Sequence, residues 1–282
     1  MKVYSTISAL QEHVSSLKSE GKTVGFVPTM GALHYGHISL VSSAINQCDV
    51  TIVSIFVNPT QFNNPDDLLK YPRNLEADIE MLSTINCAIV FAPSVEEMYP
   101  ENSVSVELDL GTIGTVMEAE FRPGHFNGVV NVVKRLFEIV KPDKAFFGLK
   151  DFQQVAVVRF MTNYFKLPVE IVACPTLREE SGLAMSSRNL RLSEQEKEDA
   201  LHIFRSLTLA KKLSENHPPS EVKKAVINYF NQGNLKLEYF EIVHPLTLVS
   251  LKDEWTEGAT GCIVAFCGDV RLIDNMELVI SH

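Results

Sequence analysis

The sequence contains no apolar run near the ~20 residues that a membrane-spanning helix requires. It has no CxxC pair among its five cysteines, a single tryptophan, and fewer basic than acidic residues. The apolar run length, the cysteine spacing and the charge balance each close off a class of function. The cysteines, at positions 48, 87, 174, 262 and 267, lack the spacing of a zinc site or a dithiol redox centre. They read as reduced, mostly buried thiols of a cytosolic protein. Cys262 and Cys267 lie an odd number of residues apart in a strand-like run and so point to opposite faces. With 25 Lys and Arg against 35 Asp and Glu, the formal net charge is −10 and the isoelectric point near 5.3. That surface repels nucleic acid backbones and anionic lipid, so no nucleic-acid and no membrane partner is expected, and a small-molecule substrate is. The opening MKVYSTISALQEHVSSLKSEG places Ile7, Leu10, Val14 and Leu17 at helical spacing above a polar face. This is not the apolar block of a signal peptide, and a cytoplasmic location follows as the expectation.

At 282 residues, with 45% hydrophobic and 21% charged, the composition is that of a globular enzyme built as one large domain or two unequal ones. Short β-rich runs alternate with helical patterns over the first ~175 residues, the signature of parallel βαβ units. TVGFVPT, DVTIVSIFVN, AIVFAPS, KAFFGLK and VEIVACPT read as strands. A segment from about Gly36 to Gln47, then LEADIEMLSTINC, GVVNVVKRLFEIV and DFQQVAVVRFMTNYF, read as helices. Beyond residue 175 the pattern changes to two amphipathic helices, the first entered at Ser193 with Glu196 placed for a capping box. The strand-like KLEYFEIVHPLTLV, GCIVAFCGDVRLID and MELVI follow. The predicted fold is α/β. A Rossmann-like, doubly wound parallel sheet over residues 1–175 binds the ligands at the carboxyl ends of its strands. A smaller α+β domain over residues 176–282 closes over the site. No internal repeat or low-complexity linker separates the two.

Four polar clusters fall where strands end or where the domains meet. In VPTMGALHYGHISLV, Gly31 and Gly36 flank a strand-to-helix turn. The helix opening there aims free N–H groups and its positive dipole end outward, a setting for phosphate. His34 and His37 stand at that mouth as donors, protonated or neutral. A zinc clip would need further ligands that the neighbouring sequence does not offer, and a plain loop with solvent-facing histidines is the other reading. In FVNPTQF, Pro59 ends a strand and Gln61 offers an amide suited to hydroxyl and carboxylate groups, although NPTQ alone also reads as a turn. In FFGLKDFQQ, Gly148 turns the chain, Lys150 and Asp151 open a helix, and one of Gln153 and Gln154 can face a crevice. In GLAMSSRN, two hydroxyls and Arg188 form a flexible anion clamp or an interdomain hinge. A further segment, EFRPGHFNG, is a lid or a connection. Donors and cations dominate these clusters and acids are few, so the target is an anion, best a nucleotide triphosphate.

These residues resemble a known pattern. His34-Tyr35-Gly36-His37 matches the HxGH signature of the nucleotidylyltransferase superfamily, and Met185-Ser186-Ser187-Arg188 its second, KMSKS-type loop. The closer resemblance is to the pantothenate synthetase (pantoate–β-alanine ligase) family, carried by PTMGALHYGH, FVNPTQF, YPRN, RPGHF, FGLKDFQQ and GLAMSSRN in family order between residues 28 and 189. It implies that ATP and (R)-pantoate give pantoyl adenylate and pyrophosphate, and that β-alanine then displaces AMP. By the same resemblance ATP lies along Met30, Gly31, Ala32, Leu33, His34, Tyr35, Gly36 and His37. It continues along Gly148, Leu149, Lys150 and Asp151, then the Leu177 backbone, then Met185, Ser186, Ser187 and Arg188. Gln61, Gln154 and Met30 hold pantoate, and Gln61 also serves β-alanine. His37, His34, Lys150 and Arg188 are the catalytic set, with His37 as proton donor. Asn58 and Glu118 match further active-site positions. Mg²⁺ accompanies ATP without an assignable protein ligand, and a homodimer is implied. Ser181, Leu149 and Ala119 depart from residues common in the family, which bears on loop geometry and leaves every proposed phosphate and pantoate ligand in place. Another nucleotidylyltransferase of the superfamily shares the HxGH logic, and a non-catalytic nucleotide sensor could share the scaffold.

Overall fold

The computed structural model describes residues 1–62, 65–101 and 104–279. Its strands in chain order are β1 (Lys2–Tyr4), β2 (Val24–Thr29), β3 (Val50–Ile55), β4 (Ile89–Phe91), β5 (Lys144–Gly148), β6 (Glu170–Cys174), β7 (Lys236–Val243), β8 (Thr260–Cys267) and β9 (Val270–Glu277). The helices are α1 (Ile7–Ser19), α2 (Tyr35–Gln47), α3 (Pro65–Lys70), α4 (Leu75–Ser83), α5 (Val95–Met98), α6 (Glu118–Phe121), α7 (His125–Val140), α8 (Phe152–Tyr164), α9 (Glu194–Ser214) and α10 (Pro219–Phe230). Two compact units emerge. One comprises residues 1–110, 121–148 and 154–175, and the other residues 111–120, 149–153 and 176–282.

The first unit is built on a six-stranded, all-parallel sheet in the order β1-β4-β3-β2-β5-β6. From β2 the chain winds outward through β3 and β4, then returns to place β5 on the other side of β2. The carboxyl ends of β2 and β5 therefore flank the topological switch point, where doubly wound sheets bind ligands. β2 is buried along nearly its whole length, as expected of a parallel strand covered on both faces. Its alternating side chains divide between two layers. Val27 joins Val53, Val90 and Phe146 beneath Leu40, Val41 and Ala44 of α2 and Leu82 of α4. Phe26 faces the other way, edge-on to Phe137 of α7 at 6.3 Å, and Phe137 meets Phe147 at 6.4 Å.

The second unit packs α9 and α10 on one face of the antiparallel sheet β7-β8-β9. Leu207, Val226 and Phe230 from the helices meet Phe240, Ile263 and Leu272 from the strands. Ser193 and Glu196 form the expected capping box at the head of α9. The run GCIVAFCGDVRLID does not form one strand. Gly268, at φ +54°, turns the chain between β8 and β9. The run MELVI is no separate strand either, because Met276 and Glu277 end β9; its Ile280 lies outside the described residues. All five cysteines are free thiols. Among the described residues no helix is long and apolar enough to cross a membrane.

Candidate active site

At the carboxyl end of β2 the chain makes a turn that only part of its sequence favours. Gly31 has φ +80° and Ala32 has φ +50°. A left-handed alanine costs roughly 1–2 kcal/mol. The strain is offset by Asp78 of α4, only 4% exposed, whose carboxylate accepts the Ala32 N–H at 3.0 Å and the Leu33 N–H at 2.7 Å. A Cβ on Gly31 would stand 2.9 Å from Asp78 Oδ2, which explains the glycine. Burial raises the Asp78 carboxyl above its ordinary value, against the opposing pull of the Leu33 and Ala32 N–H groups. The sequence reading missed Asp78. The available signal was an acid four residues before the buried Leu82, on the inward face of an amphipathic helix.

The turn delivers His34 as the N-cap of α2, with its backbone extended. His34 Nδ1 accepts the Gly36 N–H at 3.1 Å, and His37 Nδ1 accepts the His34 N–H at 3.2 Å. The two imidazoles thus form a capping box, the role that Ser and Glu play at α9, and their centroids lie 4.1 Å apart. This has a chemical consequence. A ring nitrogen that accepts a backbone N–H carries no proton, so each neutral ring keeps its hydrogen on Nε2. The cap selects the tautomer, and both rings become Nε2–H donors beside the positive end of a 13-residue helix.

At the end of β3, Asn58 caps the short 3-10 turn Pro59–Gln61. Asn58 Oδ1 accepts from the Thr60 and Tyr99 hydroxyls, both at 3.0 Å. Its Nδ2 donates to Gln61 Oε1 at 3.2 Å and to the Gly128 carbonyl at 3.3 Å. Gln61 Nε2 donates to Met30 Sδ at 2.8 Å, while His125 Nδ1 meets the Gln61 carbonyl at 2.8 Å. Gln61 is therefore oriented from both sides, yet each end of its amide keeps one further bonding position. Gly128 permits this packing, since a Cβ there would come within 2.6 Å of the Thr60 carbonyl. In this unit, then, Met30 after β2 meets Gln61 after β3, where Asn58 holds it, and His34 and His37 open α2 directly after the β2 turn. Gly148 ends β5, and the half-buried Gln154 lies in α8.

The second unit holds the remaining predicted residues. Leu149, Lys150 and Asp151 form a 3-10 turn. Gln153 is not available to a ligand as a free amide. Its Oε1 accepts the Glu118 N–H at 2.9 Å and its Nε2 donates to the Ile113 and Val116 carbonyls at 2.8 and 2.9 Å. Glu118 is gripped by both terminal nitrogens of Arg271 at 2.7 and 2.8 Å and accepts the Tyr239 hydroxyl at 3.0 Å, while Arg271 also binds Glu238. Burial pulls the Arg271 guanidinium down, but the two carboxylates outweigh it and hold it above its ordinary value. Burial, with the Glu118 charge beside it, pushes the Tyr239 phenol well up.

The chain from Leu177 to Met185 doubles back on itself. Met185 N donates to the Leu177 carbonyl at 3.0 Å, which occupies that carbonyl, and Glu179 N donates to the Leu183 carbonyl at 2.9 Å. Gly182, at φ +98°, has Phe204 within 2.3 Å of where a Cβ would sit. Ser181 Oγ accepts the Leu183 N–H at 3.4 Å, so the serine supports the turn at this departure from the family pattern. Ser186 caps the 3-10 turn Ser187–Arg191, accepting the Arg188 N–H at 3.2 Å, and Asn189 ties it back to the Ala184 carbonyl at 3.0 Å.

Comparison with known proteins agrees with this architecture along nearly the whole chain. Residues 2–277 match the family described as pantoate-beta-alanine ligase. The pantothenate synthetases of Porphyromonas gingivalis and Bacteroides fragilis are 51% and 52% identical to the chain, each alignment covering 98% of it and 99% of the relative. The crystal structure of the Thermus thermophilus pantothenate synthetase superposes with a TM-score of 0.94 at 41% identity, over 99% of this chain and all of that one. A Francisella tularensis pantoate-beta-alanine ligase, solved with β,γ-ATP and β-alanine, superposes with a TM-score of 0.80 at 35% identity over 99% and 98%. A match of this extent, on a chain with this fold and these strand-end clusters, has one reading: the chain is a ligase and belongs to the pantoate–β-alanine ligase family.

Proposed function

We propose that this chain joins (R)-pantoate to β-alanine in two steps driven by ATP. The observation that carries the reading is the imidazole capping box at the head of α2, which turns both histidines into Nε2–H donors at the sheet's switch point. A carboxylate does not react with an amine until one of its oxygens becomes a leaving group. In the first step a pantoate carboxylate oxygen attacks the α-phosphorus of ATP, the bond to the β-phosphate breaks, and pyrophosphate departs with the electron pair. In the second the β-alanine nitrogen attacks the acyl carbon, loses a proton, and expels AMP.

No covalent nucleophile is needed, and the residues divide the remaining work. His34 and His37 donate Nε2–H hydrogen bonds to phosphate oxygens as charge builds in the transition state, His37 standing at the position to which the family resemblance gives the proton donor. Lys150 supplies a mobile positive charge and Arg188 a forked one. Backbone from Met30 through Leu33, with Tyr35, Gly36, Gly148, Leu149, Asp151, Leu177, Met185, Ser186 and Ser187, lines the nucleotide. Gln61, held by Asn58, and Gln154 fix pantoate beside Met30, and Gln61 also meets β-alanine. Aligning the carboxylate with phosphorus is itself a large part of the acceleration. Glu118 contributes through the segment it anchors to Arg271. Mg²⁺ would accompany the triphosphate and offset part of its negative charge. No group of three or more His, Cys, Asp or Glu suited to a metal occurs among the described residues. A homodimer in the cytoplasm completes the proposal, on family resemblance.

The test is exchange of labelled pyrophosphate into ATP with pantoate present and β-alanine absent, followed by AMP release when β-alanine is added. Exchange that depends on pantoate is the expected result. A requirement for CTP or for a phosphorylated acceptor would contradict it and assign the chain a different nucleotidyl transfer.

A further inference from the structure

One strand outside every cluster singled out in the sequence reaches two of the segments that carry them, and Glu118 besides. β9 alternates. Val270, Leu272 and Met276 pack toward α9 and α10, which leaves Arg271 and Asn275 on the opposite face, while Asp274 shares the helix-side register. Arg271 grips Glu118, as described. Asn275, 8% exposed, uses its single amide nitrogen twice, donating to the Leu149 carbonyl at 2.8 Å and the Lys150 carbonyl at 2.9 Å. Two hydrogens of one NH₂ thereby clamp two successive peptides, the second that of Lys150 itself.

Asp274 reaches the other segment. It accepts a paired contact from Arg178, Nη1 to Oδ2 at 2.6 Å and Nη2 to Oδ1 at 3.0 Å. The same guanidinium donates to the Gly182 and Asn275 carbonyls, each at 3.1 Å, and lies over the Phe204 ring at 4.8 Å. The Asn275 N–H closes the circuit on Asp274 Oδ1 at 2.8 Å. Arg178 also forms the bridge with Ala184 that sets the base of the Leu177–Met185 turn, directly before Met185, Ser186, Ser187 and Arg188. A guanidinium with its donors so distributed fixes both the direction and the depth of the turn.

We propose that Asn275 and the Arg178–Asp274 pair are positioning residues for the ligation, holding the Lys150 turn and the Met185–Arg188 loop to a single strand. The proposal rests on the reading of Lys150 and Arg188 as ATP contacts. Neither Asn275 nor Asp274 need touch substrate. A displacement of about 1 Å in a group that must meet a phosphate can lower the rate by about 10²-fold, and two adjacent residues of one strand set the position of both groups.

The experiment is a double-mutant cycle between Asn275→Ala and Lys150→Ala, read as kcat/KM for ATP alongside the KM for β-alanine. Asn275→Ala in the otherwise unaltered chain is expected to lower kcat/KM for ATP about 10- to 100-fold with little change in the β-alanine KM. In the Lys150→Ala background the same substitution is expected to cost less than about 3-fold, because residues that act through one another are not additive. An equal penalty in both backgrounds overturns the positioning role and leaves the assignment of Lys150 standing. A silent Lys150→Ala overturns that assignment and the proposal with it. Should Asn275→Ala not accumulate as folded protein, Arg178→Lys is read in the same way against Arg188→Ala, since lysine keeps the charge and loses the paired contact.

Discussion

Replacing His37 with alanine is expected to lower pantoate-dependent pyrophosphate exchange by about 10²–10³-fold, the range associated with loss of one preorganised donor to a developing negative charge. The substitution removes two things at once. One is the Nε2–H donor; the other is the Nδ1 acceptor that receives the His34 N–H at 3.2 Å. Loss of a cap costs about 0.5–2 kcal/mol of stability, so the alanine variant alone would mix the effects. His37→Gln separates them. Glutamine at the third helical position is a normal capping-box residue whose side chain can accept the N-cap N–H. It is expected to restore the melting temperature while leaving exchange as low as in the alanine variant. A glutamine variant with full exchange would reduce His37 to a helix cap and remove it from the chemistry.

Arg271→Ala is expected to destabilise the folded chain by about 3–5 kcal/mol, the range for removing one partner of a buried ion pair. The guanidinium is 20% exposed as a side chain, and Glu118 and Glu238 beside it are 10% and 14% exposed. Without it the two carboxylates lose the guanidinium they share. Glu118 would retain the Tyr239 hydroxyl and Glu238 would lose its only arginine contact among the described residues. Urea unfolding followed by circular dichroism measures the loss. Arg271→Met combined with Glu118→Gln and Glu238→Gln is expected to recover most of it, because the cost lies in the stranded charges and not in the volume removed. A loss below about 1 kcal/mol would place the cluster among ordinary surface ion pairs.

How much of this was legible in the sequence depended on whether a feature repeats. The apolar runs of β2 and β5 and the helical periods of α2, α7 and α9 span enough residues to show their pattern, and the order of elements then gave the doubly wound sheet. The strand-end clusters were visible because glycine and proline mark the turns that hold them. Three-residue β1 was missed because Lys2, Val3 and Tyr4 make no apolar run, whereas the equally short β4 is Ile-Val-Phe and fully buried. The β8–β9 hairpin was read as continuous because Gly268 interrupts the apolar pattern by only a residue or two. His125 was left outside the helix read from Gly128 onward, although α7 begins with it and its ring meets the Gln61 carbonyl. Asp78, Arg178, Asp274 and Asn275 left the least trace. Each acts mainly through hydrogen bonds to groups far away in the chain, and such bonds impose no spacing on the sequence around them. The imidazole capping box lies between these cases. Its residues were singled out, but the tautomer it enforces required the geometry of both Nδ1 atoms.

That tautomer is the point on which the chemistry turns, and it is directly measurable. Two-bond ¹H–¹⁵N correlation spectra of the histidine rings, with His34→Gln and His37→Gln used to assign the signals, distinguish Nε2–H from Nδ1–H and from imidazolium. Both rings are expected to be neutral Nε2–H at pH 8. An Nδ1–H ring at either position would contradict it, because that nitrogen could not accept the backbone N–H that orients the donor.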